Sequence, residues 1–206
     1  MAVTQRLERF LPAPVVGYDE GAGRWFWDDD RPDSIGRMHG FNGNFGVLVR
    51  AYTYLRSIGG EGLTRVAERA VLNANYLRRR IEPAFPTAYP GWCMHEFVAT
   101  ARRYRPQGVR AMDIAKRLID LGFHPPTVYF PLVVEEAMMA EPTETESRES
   151  LDALASALLQ IAGEAGTDPE LLHEAPVTTP VGRLDEARAA RRLHLRWQPG
   201  APWLDD

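Results

Sequence analysis

From Asn44 onward the apolar positions recur with the period of a helix. Phe45, Leu48, Val49, Tyr52 and Leu55 share one face, and Gly59-Gly60 closes that helix. Leu63, Val66, Ala67, Ala70, Ala74, Leu77 and Ile81 form the stripe of a second helix, which Pro83 and Pro86 end. Residues 94–102 (MHEFVATAR) alternate and read as a strand, with one of His95 and Glu96 facing inward. Residues 110–121 predict a short amphipathic helix with Ala111, Ala115, Leu118 and Ile119 inward and Gly122 at its C-terminal end. Residues 127–130 follow Pro125-Pro126 as a strand, and residues 136–140 are another. Thr143 and Glu146 have capping-box spacing and mark the start of a long helix that buries Leu151, Leu154, Ala155, Leu158 and Ala162. Glu146 and Glu149 suit the positive end of its dipole. A short helix over 184–192 lies in the Pro-rich tail.

Residues 1–45 lack that periodicity. Phe10-Leu11-Pro12-Ala13-Pro14 is extended, because each proline pushes its predecessor out of the helical region. Residues 15–18 and 24–27 flank Asp19-Glu20-Gly21-Ala22-Gly23, which predicts a hairpin, and a polar Gly-rich loop follows to Gly43. The expected division is therefore 1–45, the trailing part of something larger, and 46–206, a small domain. Its order of α–α–β–α–β–β–α gives an α+β class, with long helices over a small, mostly antiparallel sheet.

Composition narrows the function classes. A chain of 206 residues, 45% hydrophobic and 25% charged, is that of a globular domain, and a net charge of -4 gives no reason to expect nucleic acid or an anionic membrane as partner. The single Cys93 forms no intramolecular disulfide, no apolar run approaches a membrane span, and the first residues lack the apolar centre of a secretory signal. A cytoplasmic protein is the expectation. Five histidines and one cysteine show no metal-ligand spacing, and no GxSxG, P-loop or dinucleotide fingerprint occurs.

The 26-residue run 122–147, GFHPPTVYFPLVVEEAMMAEPTETES, resembles the C-terminal part of the glycine dehydrogenase (decarboxylating) family, the P-proteins of the glycine cleavage system. RPDSIGRMHGFNGNFGVLVRAYTYLRSIGGEGL, VLNANYLRRRI, CMHEFVATARR and AMDIAKRLIDLGFHPPTVYFP follow in family order, and TTPVGRLDEARAARRLHLRW is similar to the close of the separate-subunit-2 form. The resemblance runs from Phe10 to Trp197.

It implies the small C-terminal domain of an aspartate-aminotransferase-like (fold type I) pyridoxal phosphate enzyme, with residues 1–45 a remnant of the large cofactor domain. It also implies glycine decarboxylation, with transfer of the aminomethyl group to the lipoyl group of H-protein. The implied partners are glycine, the rest of the P-protein or its other subunit, and lipoylated H-protein. The family's Schiff-base lysine lies upstream of the region that Phe10 matches. Lys116 is the only lysine against 23 arginines, on the flank of a helix, so no catalytic residue is expected in this chain and no covalently held cofactor. The chain is expected to be inactive alone.

Among candidate site residues, Gly43 and Asn44 precede a helix whose free N–H groups suit an anion, and in this fold that loop reaches a neighbouring cofactor phosphate. The alternative is a glycine turn with Asn44 as N-cap. Arg37, in the same loop, is a candidate for phosphate or carboxylate. His124 and Thr127, stiffened by the prolines between them, line a substrate or lipoyl channel on one reading and a helix-to-strand connector on the other. A rival function from another class is a non-catalytic assembly module that docks on P-protein subunits. It would leave the hairpin and the helix of Phe45 to Leu55 partly exposed.

Overall fold

The structure, a computed structural model, describes residues 3–40, 43–193, 195, 196 and 199. Phe41 and Asn42 of the expected anion loop lie outside the described residues. The chain divides into two compact units, Met1–Gly60 and Glu61–Asp206. The division falls in a helical run, whereas the split expected at residue 45 marks family lineage, a different property.

In the first unit, α1 (Gln5–Glu8) precedes an antiparallel hairpin of β1 (Val15–Asp19) and β2 (Arg24–Asp28). Tyr18 and Trp25 face each other across it with ring centroids 4.7 Å apart. Gly17 sits opposite Phe26, whose ring lies so close that a Cβ at Gly17 would be 2.6 Å from Phe26 Cζ. The sequence places a residue without a side chain where an aromatic ring crosses the strand. Ser34 Oγ donates to Leu11 O at 2.6 Å, and Ile35 N donates to Phe10 O, tying the following loop back to the start.

The run Phe45–Ile81 (α2) is helical on both sides of Gly59, which has φ 71 and ψ 176. That left-handed conformation is open to glycine at little cost, so the expected break falls where the sequence puts Gly59-Gly60. The apolar face of the first arm is not covered: Phe45 is 80% exposed, and Leu48, Val49, Tyr52 and Leu55 are all exposed. The stripe of the second arm is buried only from Ala74 on, at Ala74, Leu77 and Ile81.

The second unit is an α+β domain, as expected. Its sheet has the order β3-β5-β4, all antiparallel, from β3 (Phe97–Thr100), β4 (Thr127–Val128) and β5 (Ala137–Ala140). Helices α3 (Ala111–Asp120), α4 (Arg148–Thr167) and α5 (Pro169–Glu174) join the end of α2 around a core of Leu77, Phe85, Ile114, Leu118, Ile161 and Leu172. A short α6 (Glu186–Arg191) follows. Tyr104, in a 3-10 turn after β3, packs on Phe85 and donates through its hydroxyl to Ala84 O at 3.0 Å, which satisfies its one polar atom.

Several expectations are corrected. β3 begins at Phe97, so His95 and Glu96 precede it, and His95 points outward to Glu141, 3.7 Å away. On α3 Ala111, Ala115 and Leu118 are buried as expected, but Ile119 is only half-buried and Ile114 takes a fully buried place instead. α4 starts at Arg148 with Ser147 as its cap, not at Thr143. Ser147 Oγ accepts from Ser150 N at 3.1 Å, while residues 143–146 form a turn closed by Glu146 N donating to Thr143 O. Two capping-type spacings compete in this acidic stretch, and the later one wins. Leu154 and Ala162 are half-buried on α4, with Ile161 and Ala165 taking the fully buried places.

Residues 175–183 form a strap across α3. Asp120 Oδ1 accepts from Val177 N, Thr178 N and Thr178 Oγ1 at 2.8–2.9 Å, and Asp113 Oδ1 accepts from Arg183. Asp113 and Asp120 stand two turns apart on one face, so a single helix face holds both ends of the strap.

Candidate functional site

Antiparallel pairing of β4 with β5 sets Thr127 opposite Met139. The residues that enter β4 and those that leave β5 therefore lie side by side at one end of the pair. At that end the two conspicuous motifs meet. His124, Pro125, Pro126 and Thr127 form one wall of a cleft of about 410 Å³, and Glu141, Pro142, Glu146 and Ser150 form the other. Leu77, Leu151 and Leu158, all nearly inaccessible to water, lie beneath, together with the half-buried Leu154.

Helix α2 fixes the acidic wall. Asn73 Nδ2 donates to Thr143 O at 2.8 Å and to Glu146 O at 3.3 Å, and Ser150 Oγ donates to Glu146 Oε2 at 2.7 Å. At the start of α4 the backbone N–H of Glu149 and the Ser147 hydroxyl donate to Glu149 and hold its carboxyl below the usual range. The cleft thus has an apolar floor, a stiff wall bearing His124 and Thr127, and a mouth with two carboxylates. The sequence marks Glu146 only as part of a helix start, and it does not single out Ser150. Leu77 and Leu158 were read as core, which they also are.

The other candidates do not join this cleft. Arg37 lies in the first unit, in a separate cleft of about 280 Å³ with Pro12, Pro14, Trp27 and Asp29, and its guanidinium donates to Asp29 Oδ1 at 2.7 Å. Gly43 has φ 88, and its N–H donates to Gly40 O at 3.0 Å. Asn44 Oδ1 accepts from Val47 N at 3.1 Å, the geometry of an N-cap. All three are thus engaged within the chain. Lys116 is half-buried on α3 and lines neither cleft. Neither cleft offers the amine that a covalently held pyridoxal phosphate requires. Among the described residues no cluster of His, Cys, Asp and Glu suits a metal, and no helix is long and apolar enough to cross a membrane.

A second polar system holds the helices that carry the cleft. Arg117 on α3 donates through Nε and Nη2 to both carboxylate oxygens of Glu164 on α4, at 2.9 and 3.1 Å. Those hydrogen bonds hold the Glu164 carboxyl below the usual range, outweighing the opposite pull of its burial. Burial also acts to raise Asp120, but the bonds from Thr178 and Val177 and the Arg117 guanidinium outweigh it and leave that carboxyl lowered as well.

Comparison with known proteins adds what geometry alone does not. The family model described as glycine dehydrogenase, C-terminal domain, matches residues 66–172. The probable glycine dehydrogenase (decarboxylating) subunit 2 of Caldanaerobacter subterraneus subsp. tengcongensis is 54% identical over 197 residues, which cover 96% of this chain and 40% of that protein. The protein of the same description from Bacillus velezensis is 56% identical over 189 residues, covering 92% of this chain and 38% of its own. That from Lysinibacillus sphaericus is 57% identical over 190 residues, covering 92% and 39%. The chain therefore spans about 40% of the length of the relatives it matches. Among solved structures, the glycine decarboxylase (P-protein) of the glycine cleavage system, in inhibitor-bound form, superposes with a TM-score of 0.58 at 23% identity. The match covers 78% of this chain and 38% of that one. The likeness extends to the fold.

Proposed function

We propose, from the premise that this chain belongs to the family of glycine dehydrogenase C-terminal domains, that it is the C-terminal part of a glycine decarboxylase of the subunit 2 type. Residues 1–45 would then be the trailing segment of the large cofactor domain and residues 46–206 the small domain. The whole enzyme would decarboxylate glycine and pass the aminomethyl group to the lipoyl arm of H-protein, in the cytoplasm. Its partners would be the rest of the P-protein, including a subunit 1, and lipoylated H-protein.

When bound elsewhere in such an enzyme, pyridoxal phosphate supplies the electron sink for loss of the carboxylate. This chain's own contribution would be positional. His124 and Thr127 would line the channel by which substrate or the lipoyl arm approaches. Gly43, Asn44 and Arg37 would present N–H groups and a guanidinium toward the cofactor phosphate, once Arg37 releases Asp29 and the Gly43 N–H releases Gly40 O.

The observation that carries the reading is the meeting of GFHPPT and EPTETES at one cleft, within the span that matches the family. The chain alone would be inactive, because its one lysine lies outside both clefts. Borohydride reduction after incubation with stoichiometric pyridoxal phosphate tests this by intact mass. We expect only trace labelling of Lys116 and the N-terminus, with no glycine–bicarbonate exchange until a lysine-bearing partner is added. A complete single adduct on Lys116, or exchange by the chain alone, would overturn the inactivity. Failure of the partner-supplemented mixture to exchange would overturn the assignment.

The assembly-module reading is the second candidate. It is favoured by one observation, the uncovered apolar face of Phe45, Leu48, Val49, Tyr52 and Leu55. A monodisperse monomer by light scattering would count against it.

A further inference from the structure

We infer that the cleft between the end of α2 and residues 87–98 binds an aromatic monocarboxylate, whose carboxylate takes the guanidinium of Arg78. The site shares no residue with the cleft beneath His124 and does not depend on the proposed reaction. Asn75 and Arg78 stand three residues apart on one face of α2. Asn75 fixes the backbone of Cys93, and Arg78 lines the cleft beside that loop. Its volume of about 420 Å³ is within the range of small-molecule sites, and Tyr89, Pro90, Trp92 and Met94 give it an apolar side.

A buried cation short of acceptors sets the head group. Arg78 is the only buried arginine or lysine among the described residues, with its side chain 9% exposed. Its Nη1 makes two long contacts, to Glu82 Oε1 at 3.4 Å and to Thr87 Oγ1 at 3.5 Å, and Arg79 holds Glu82 more closely, at 2.7 Å. Nε is buried without a hydrogen-bond partner, and Nη2 has none among the described residues. Nε and Nη2 form the edge of a guanidinium that takes both oxygens of a carboxylate, as Arg117 takes Glu164 at 2.9 and 3.1 Å. On Arg78 that edge is unused, and a buried cation without acceptors is costly. Held only by two long contacts, the guanidinium needs a small turn to present this edge to the cleft. The Nε of Arg31 is also unpartnered, but Arg31 lines none of these clefts. No second arginine or lysine lines the cleft, and Glu96 does, which limits the ligand to one negative charge. The rest of the ligand meets Tyr89 and Trp92, against which an aromatic ring packs well.

The test is calorimetric titration of the full chain with 3-phenylpropanoate, 3-phenylpropan-1-ol and 3-phenylpropylamine at about pH 8, where His95 of the lining is above the ordinary histidine range. Alkylation by iodoacetamide locates the ligand, because the single Cys93 lines the same cleft. The carboxylate should bind about tenfold more tightly than the alcohol, with the amine weakest, and should slow alkylation of Cys93 several-fold. Arg78→Met should bring the carboxylate to the level of the alcohol without altering the alcohol. Glu96→Gln, which leaves Arg78 in place, should tighten the carboxylate about twofold and leave the alcohol unchanged. Should Arg78→Met fail to fold, the three probes and Glu96→Gln decide by themselves. Equal affinity of the three probes would overturn the role of Arg78. Absence of binding, or binding that leaves the alkylation rate unchanged, would overturn the site.

Discussion

Arg183 Nη1 donates to Asp113 Oδ1 at 2.7 Å, and this pair closes the strap onto the first turn of α3. Asp113 is buried and also accepts from Arg110 N through Oδ2, while Arg183 donates as well to Ala175 O and Leu172 O. One guanidinium thus satisfies a buried carboxylate and two carbonyls from three stretches of chain. Arg183→Ala should destabilise the second unit by about 2–3 kcal/mol, because a buried charge and two acceptors lose their donor. Arg183→Lys should recover little of this, since a single ammonium does not reproduce the fork. Urea midpoints of the three proteins are the measurement, and equal midpoints for Ala and wild type would refute the strap's role.

The Arg117–Glu164 pair predicts how stability changes with acid. The carboxyls of Glu164 and Asp120 are both lowered in the folded state. Their contribution is complete above the ordinary carboxylate range, near pH ~4, and is lost as pH falls through the lowered folded values. The melting temperature should therefore fall steeply below that range. Glu164→Gln should flatten the fall and cost about 1–2 kcal/mol at pH 7. An unchanged pH profile in Glu164→Gln would remove the pair from the account.

The start of α4 separates two caps that the sequence offers. Ser147→Ala should cost about 1 kcal/mol, because the Ser150 N–H loses its acceptor. Thr143→Ala should cost much less, since its hydroxyl bonds only the neighbouring Thr145 hydroxyl. Thermal melts of the two variants decide the order, and a larger loss at Thr143 would move the helix start back.

Asn75 holds the loop at Cys93 on both sides: Oδ1 accepts from Cys93 N, and Nδ2 donates to Cys93 O and to Val71 O. Burial, partly offset by the Arg78 guanidinium, pushes the Cys93 thiol above its ordinary value, so alkylation by iodoacetamide at neutral pH should be slow. Asn75→Ala should cost about 1–3 kcal/mol and speed alkylation several-fold as the loop loosens. An unaltered alkylation rate would show that the clamp does not govern access.

The sequence was most legible where a pattern had one physical solution. Gly59-Gly60 breaks α2 because a left-handed residue was needed there, and the β1–β2 hairpin forms around its glycine-rich turn. The class of the second unit followed from periodicity alone. Side-chain patterns do not say which apolar face finds a partner within the chain. Phe45 to Leu55 reads like Leu151 to Leu158, yet only the latter is covered. The start of α4 was missed because Thr143 and Ser147 both carry hydroxyls at capping spacing, and the choice depends on Asn73, 70 residues away from Thr143 in sequence. His124 and Thr127 stood out as a stiff turn. That they face Glu141 and Glu146 depends on strand register, which short strands encode weakly.

The β4–β5 hairpin also separates what is free to vary from what is not. Its closed end, around Leu132 and Val133, projects into solvent, 89% and 83% exposed, while its open end forms the cleft. Arg102 and Arg105 grip Glu135, and Glu136 accepts from Ala111 N, so the loop is pinned just before β5 begins. Lengthening the chain between Leu132 and Val133 is absorbed beyond those pins and leaves the pairing of Thr127 with Met139 in place. The tip is where a lineage can add residues, or an experimenter an epitope tag, without disturbing the cleft.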